Sequence, residues 1–145
     1  PKATVYACFG SPFMPRPASV YAKMLGEKIL EHNTVVYLIN TGWSGGSHGV
    51  GKRMKLSFTR AMITAAMNGE LDNVEFKTQP IFELSIPTSC PGVPSEILNP
   101  KETWSDKAKF DETANSLAAK FVANFEKFEA ESSEAILSAA PKVMA

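Results

Sequence analysis

The stretch "VVYLINTGWSGGSHGVGKRMKLSFTRAMITAAMNG", Val35 to Gly69, runs through an apolar segment, a glycine-rich loop, a basic pair and a helical pattern. Val35 to Ile39 is apolar without alternation, the pattern of a strand buried on both faces in an α/β protein. Gly42 to Gly51 reads as a loop, and "FTRAMITAAMN" as a helix with Ser57 as its cap and Gly69 as its stop. Within the loop, Gly46, four further residues, Gly51 and Lys52 have the spacing of a Walker A phosphate loop. That motif next needs Ser or Thr to hold magnesium, and Arg53 stands there instead. The glycines and the basic pair still suit an anion or nucleotide.

Arg53 carries a flat guanidinium that can lie on a purine ring. Met54 and Leu56 alternate with Lys55 and can face one side as an apolar slot, beside which the Thr59 hydroxyl can reach a base edge. In the plainer reading Met54 and Leu56 are core residues, Arg53 is a surface charge and Thr59 belongs to the first turn of a helix.

Working outward, "ATVYACF" (Ala3 to Phe9) reads as a strand that ends at Gly10, and the proline-rich "SPFMPRPAS" as a loop. Ser19 is placed to cap a helix on which Tyr21, Met24, Leu25 and Ile29 fall at helical spacing, ending near His32 and Asn33. Phe82, Leu84 and Ile86 alternate with polar residues as in a half-buried strand, and "PTSCPGVP" forces an irregular connection. From Ser105 the longest helix begins, with Phe110, Ala114, Leu117, Phe121, Phe125 and Phe128 on one stripe that needs a broad partner. Residues 130–145 read as a short helix and a frayed tail.

The 145 residues suffice for one domain with a core, and 44% apolar and 21% charged residues are usual for a globular protein. Zero formal net charge argues against nucleic-acid or membrane-surface partners. Cys8 and Cys90 make neither a disulfide framework nor a zinc site and fit a reducing, cytoplasmic setting. His32 and His48 lack ligand-type neighbours at metal-binding spacing. Trp43, beside the glycine loop, either walls a site or plugs the core. The chain opens at Pro1, within a few residues of a strand-like run, which is expected of a fragment.

"ACFGSPF", "LINTGWSGGSHGVGKRMKLSFTRAMITAAMNGELDNVEF" and "IPTSCPGVPSEILNPKETW" together closely resemble ATP-dependent phosphoenolpyruvate carboxykinase, from about Ala7 to Phe128. The resemblance implies an α/β fold: residues 1–145 would be the C-terminal portion of the family's mixed-sheet nucleotide-binding domain. It implies conversion of oxaloacetate and ATP to phosphoenolpyruvate, ADP and carbon dioxide, with Mg2+ and Mn2+. In the family, the residues matching Arg53 and Thr59 contact the adenine end of the nucleotide, and those matching Met54 and Leu56 flank the base. The glycine loop is then not the phosphate loop, which in the family ends in Gly-Lys-Thr-Thr and lies upstream, as do the metal ligands and the substrate-clamping arginines. Between "TGW" and "GKR" this chain has the longer of the family's spacings. The expected partners are the two substrates and the N-terminal part of the enzyme, and the segment alone is expected to be inactive. The alternative is a truncated, non-catalytic nucleotide-binding or interaction module.

Overall fold

Proline and glycine punctuation sets the first described element. The computed structural model describes residues 10–144, so the strand expected at Ala3–Phe9, and Cys8 within it, lie outside the described residues. A 3-10 turn, Ser11–Phe13, is followed by helix α1, Ala18–His32. Pro17 occupies the position before α1, and its fixed φ of −55° suits a helix entrance. Ser19 is therefore inside the first turn rather than capping it, and its hydroxyl donates to Glu131 Oε2 at 2.7 Å. At the other end Asn33 takes the left-handed conformation, φ 47°, and its N–H meets the Ile29 and Leu30 carbonyls. That closes the helix where the sequence placed the stop, because Asn tolerates this conformation better than most residues.

The described residues divide into two compact bodies. The first comprises residues up to Val36 together with Phe121–Ala140. It contains α1, the last residues of the long helix and a short helix of residues Glu134–Ser138. Phe125 and Phe128 meet here with ring centroids 5.9 Å apart. Among the described residues, every fully buried apolar side chain belongs to the second body.

The second body comprises Tyr37–Lys120 and the chain from Pro141. Two short antiparallel pairs frame it: β1, Trp43–Ser44, with β2, Lys52–Arg53; and β3, Phe76–Thr78, with β4, Ser85–Pro87. Helix α2, Leu56–Met67, lies between the pairs in sequence; α3, Ser95–Leu98, and α4, Pro100–Thr103, precede α5, Lys107–Glu129. The short helix Glu134–Ser138 is α6. The mixture of helices and small sheets is α/β in the broad sense, without an extended sheet among the described residues.

Two apolar cores hold this body. Ala65, Leu71, Cys90 and Val93 are buried together, with Phe58, Met62 and Val74 packed against them. Ile81, Ala114 and Ala118 form the second, with Phe82 and Phe110. The alanines let α5 approach the Ile81 loop closely, so enlarging either would cost about 1–3 kcal/mol in overpacking.

Several sequence expectations change. Val35–Ile39 is not a strand; Val35, Val36 and Leu38 are 68, 64 and 80% exposed, and only Tyr37 packs on the core. A strand exists through its partner, and no described strand pairs with this run. The strand expected around Phe82 begins at Ser85, because Gln79–Leu84 is a tight turn. Gln79 Oε1 accepts the N–H groups of Ile81 and Phe82, and the Glu83 N–H returns to the Gln79 carbonyl at 2.8 Å. Ser57 lies inside α2, whose entrance is Lys55. The long helix begins at Lys107, not Ser105: Asp106 Oδ1 accepts the Lys109 N–H at 2.9 Å, a better cap for the same entrance. Along its stripe Ala114 is buried, but Leu117 and Phe121 are 46 and 44% exposed. The tail is pinned rather than frayed, with Lys142 N–H on the Ile81 carbonyl at 2.7 Å and Met144 N–H on Asn115 Oδ1 at 2.9 Å.

Candidate nucleotide site

The basic pair Lys52–Arg53 sits on a β-hairpin. Trp43 pairs with Arg53 and Ser44 with Lys52, and the Met54 N–H extends the ladder to the Gly42 carbonyl at 2.8 Å. At the tip, Val50 and Gly51 N–H groups converge on the Ser47 carbonyl at 3.0 and 2.9 Å. Glycine is required at two points. Gly45 has φ +79°, and a Cβ there would stand 2.8 Å from the Thr103 carbonyl oxygen. Gly51 passes so close to the Gly46 carbonyl that no side chain fits. The close approach at Gly45 lets its N–H bond Thr103 Oγ1 at 3.0 Å, which ties the hairpin to the end of α4.

Arg53 and Lys52 are exposed, and among the described residues neither forms a salt bridge. Met54 is half-buried, and Leu56 opens α2 with 62% exposure. The two-residue alternation ends at Lys55: Met54 lies in the connection between β2 and α2, and Leu56 on the helix. Lys55 covers the Phe58 ring, its ammonium 5.5 Å from the centroid. Thr59 is in the first turn of α2, half-buried. Its hydroxyl makes no hydrogen bond among the described residues, whereas Thr113 on α5 bonds the Lys109 carbonyl at 2.7 Å in the usual helical manner. The four residues singled out from the sequence thus fall within one hairpin-to-helix segment, with a cation and a hydroxyl unspent.

Sequence reading did not find the hairpin itself. Its signal was present in two short non-glycine runs, around Trp43 and around Arg53, flanking a loop rich in glycine. Nor did it pair Trp43 with Arg53 or attach Gly45 to Thr103. Trp43 is 48% exposed, with the His48 ring edge-on to it at 4.9 Å. It therefore lines the outside of the hairpin rather than plugging a core.

A cleft of about 830 Å³ is elsewhere in the second body, between the Gln79 turn and α5. None of Arg53, Met54, Leu56 or Thr59 lines it. Some of its polar groups are engaged, Lys101 with Asp111 at 2.7 Å and the Gln79 side-chain oxygen Oε1 with two backbone N–H groups, while Lys77 and Glu96 on its lining form no salt bridge among the described residues. The hairpin and the start of α2, not this cleft, bring Arg53, Met54, Leu56 and Thr59 into one segment. Among the described residues no group of three His, Cys, Asp or Glu side chains can hold a metal ion. These residues therefore do not fit Mg2+ or Mn2+. Cys90 is buried, and burial first, then the charge of Glu70, pushes its thiol pKa upward, away from a reactive thiolate. No helix among the described residues is long and apolar enough to cross a membrane.

The sequence profile of the phosphoenolpyruvate carboxykinase family matches residues 1–96. The chain is 60% identical over 142 residues to the phosphoenolpyruvate carboxykinase (ATP) of Caldanaerobacter subterraneus subsp. tengcongensis, covering 98% of the chain and 27% of the relative. It is 59% identical over 128 residues to that of Geobacillus thermodenitrificans, covering 88% and 24%. To that of Fusobacterium nucleatum it is 56% identical over 142 residues, covering 98% and 27%. The chain thus spans about a quarter of the length of the curated relatives it matches. The profile takes in the whole hairpin, α2 and both strands of the β3–β4 pair, and on that ground the chain belongs to the phosphoenolpyruvate carboxykinase family.

Proposed function

We propose that this segment supplies the adenine end of the ATP site in an ATP-dependent phosphoenolpyruvate carboxykinase, acting in the cytoplasm within the C-terminal nucleotide-binding domain. The reaction is oxaloacetate plus ATP to phosphoenolpyruvate, ADP and carbon dioxide. The observation that carries the reading is the exposed Arg53 without a carboxylate partner, followed six residues later, in the first turn of α2, by the unspent hydroxyl of Thr59. Arg53 stacks its guanidinium on the purine, Thr59 hydrogen-bonds the base edge, and Met54 and Leu56 supply apolar contact on its flanks. Base stacking and a neutral hydrogen bond hold and orient the nucleotide; they do not stabilise charge at the transferring phosphoryl group. Divalent metal ions supply that charge stabilisation in such transfers. On this reading those ions are held by the rest of the enzyme, and the segment by itself should show no turnover in a coupled assay with oxaloacetate, ATP, Mg2+ and Mn2+.

The test uses a full-length carboxykinase carrying this segment, made by exchanging it for the matched region of the Caldanaerobacter relative. Arg53→Ala should raise KM for ATP about tenfold, the worth of a partly desolvated cation–π contact of roughly 1–2 kcal/mol. KM for oxaloacetate should stay within about twofold, because uniform binding of the other substrate is untouched. A raised oxaloacetate KM with an unchanged ATP KM would put Arg53 at the other substrate and refute the reading.

A further inference from the structure

Trp43 and Arg53 are direct partners in the β1–β2 register. Opposed residues of an antiparallel pair project from the same face, with Cβ atoms about 4.5–5.5 Å apart. The two side chains therefore leave the same face of the hairpin, within reach of one another, although in this conformation the guanidinium does not lie on the indole. Trp43 is held from the tip by His48, whose ring meets it edge-on at 4.9 Å with 76° between the planes. Nearly half of the tryptophan remains exposed, so much of the ring is open. The strand beneath is fixed by the Met54–Gly42 bond and by the Gly45–Thr103 attachment.

An arginine side chain without a salt bridge samples many rotamers, and a ligand that needs one of them bears the ordering cost. An aromatic face within reach of the guanidinium can narrow that choice when a ligand is bound, since guanidinium groups lie on aromatic rings. We propose that Trp43, braced by His48, is a positioning residue for Arg53: it restricts the guanidinium to orientations in which its outer face is presented to a purine ring. The proposal rests on the reading of Arg53 as the adenine contact. It also gives the glycine-rich loop a task other than phosphate binding. The loop carries His48 back to Trp43, and its glycines allow the turn.

The test is a double-mutant cycle in the full-length carboxykinase carrying this segment, read as dissociation constants for ATP and for inorganic pyrophosphate, which has no base. Trp43→Ala should weaken ATP about 3- to 10-fold, the ordering of one long side chain, and leave pyrophosphate unchanged. In an Arg53→Ala background the same change should add less than about twofold, because the group it positions is gone. Trp43→Phe keeps an aromatic face and should restore most of the ATP affinity. Equal weakening of ATP and pyrophosphate, or a loss that persists undiminished without Arg53, would show that Trp43 serves only the hairpin's fold and would overturn the proposal. Undisturbed ATP binding in Trp43→Ala, where Arg53→Ala weakens it, overturns the positioning role while leaving the adenine reading intact. Undisturbed ATP binding in Arg53→Ala overturns the adenine reading itself, and the positioning role with it.

Discussion

Gly45→Ala is the substitution that best tests how the hairpin is held. Gly45 has φ +79°, where an L-residue costs about 1–2 kcal/mol relative to glycine. The new Cβ would stand 2.8 Å from the Thr103 carbonyl oxygen, which is backbone and has little freedom to move. Relief requires the hairpin to move away from α4, and the 3.0 Å bond from Gly45 N–H to Thr103 Oγ1 is then lost. A neutral hydrogen bond of that kind contributes about 0.5–1.5 kcal/mol, so the combined loss is about 1.5–3.5 kcal/mol. Trp43 is the natural probe, because it lies on the first strand of the hairpin. In a Trp104→Phe background, urea unfolding followed by Trp43 fluorescence should show the loss as a lowered midpoint with little change in slope. Thr103→Val removes that bond and also the one its hydroxyl donates to the Pro100 carbonyl at 2.7 Å, so its effect should add only in part to that of Gly45→Ala, through the share the two do not have in common. Gly42→Ala is the control: its Cβ meets nothing within 4 Å, so the change should be neutral or slightly stabilising. A loss under about 0.5 kcal/mol for Gly45→Ala, the range of ordinary surface substitutions, would refute the anchoring of the hairpin to α4.

Thr59→Val keeps the shape and removes the unspent hydroxyl. It should weaken ATP binding to the full-length enzyme by about 0.5–1.5 kcal/mol, with pyrophosphate unaffected; equal weakening of both would make the effect structural. Gly26 lies inside α1 with open space where a Cβ would go, so Gly26→Ala should stabilise the helix by about 0.5–1 kcal/mol in thermal melts followed by circular dichroism. Cys90, with its thiol pKa raised by burial and by Glu70, favours the protonated form in the folded state. Its contribution to stability is full below the unfolded thiol's value of about 8.5 and is lost as pH rises through the higher folded value. In a Cys8→Ser background, Cys90→Ala should therefore flatten the fall in stability above about pH 8.5, and an unchanged fall would assign it to other groups.

Helices were legible in the sequence because their signals are local. The spacing of Tyr21 and Ile29, the Asn33 stop and the Gly69 stop, φ +71°, depend on neighbours along the chain. Caps were read one or two residues off, since Ser19, Ser57 and Ser105 are all good capping types and only geometry shows that Pro17, Lys55 and Asp106 hold the position. The strands were least legible. Val35–Ile39 has the composition of a buried strand, yet pairing is a property of two segments, and no strand among the described residues pairs with it. Conversely, Phe76–Thr78 has no strong alternation and is a strand because Ser85–Pro87 folds back on it. At the site, the residue types of Arg53 and Thr59 were visible in the sequence. The face that Arg53 shares with Trp43 was not, because it arises from a register eleven residues long with a glycine turn inside it.

The account's central claim is that the hairpin-to-helix segment meets the adenine ring. Photolabelling tests it most directly, using the full-length carboxykinase carrying this segment and an ATP analogue with an azide on its purine. On irradiation, the label should be recovered on peptides within residues 43–60, and excess ATP should suppress it while excess pyrophosphate does so less per bound site. Label that ATP suppresses but that falls wholly outside residues 43–60 would contradict the assignment of this segment to the base.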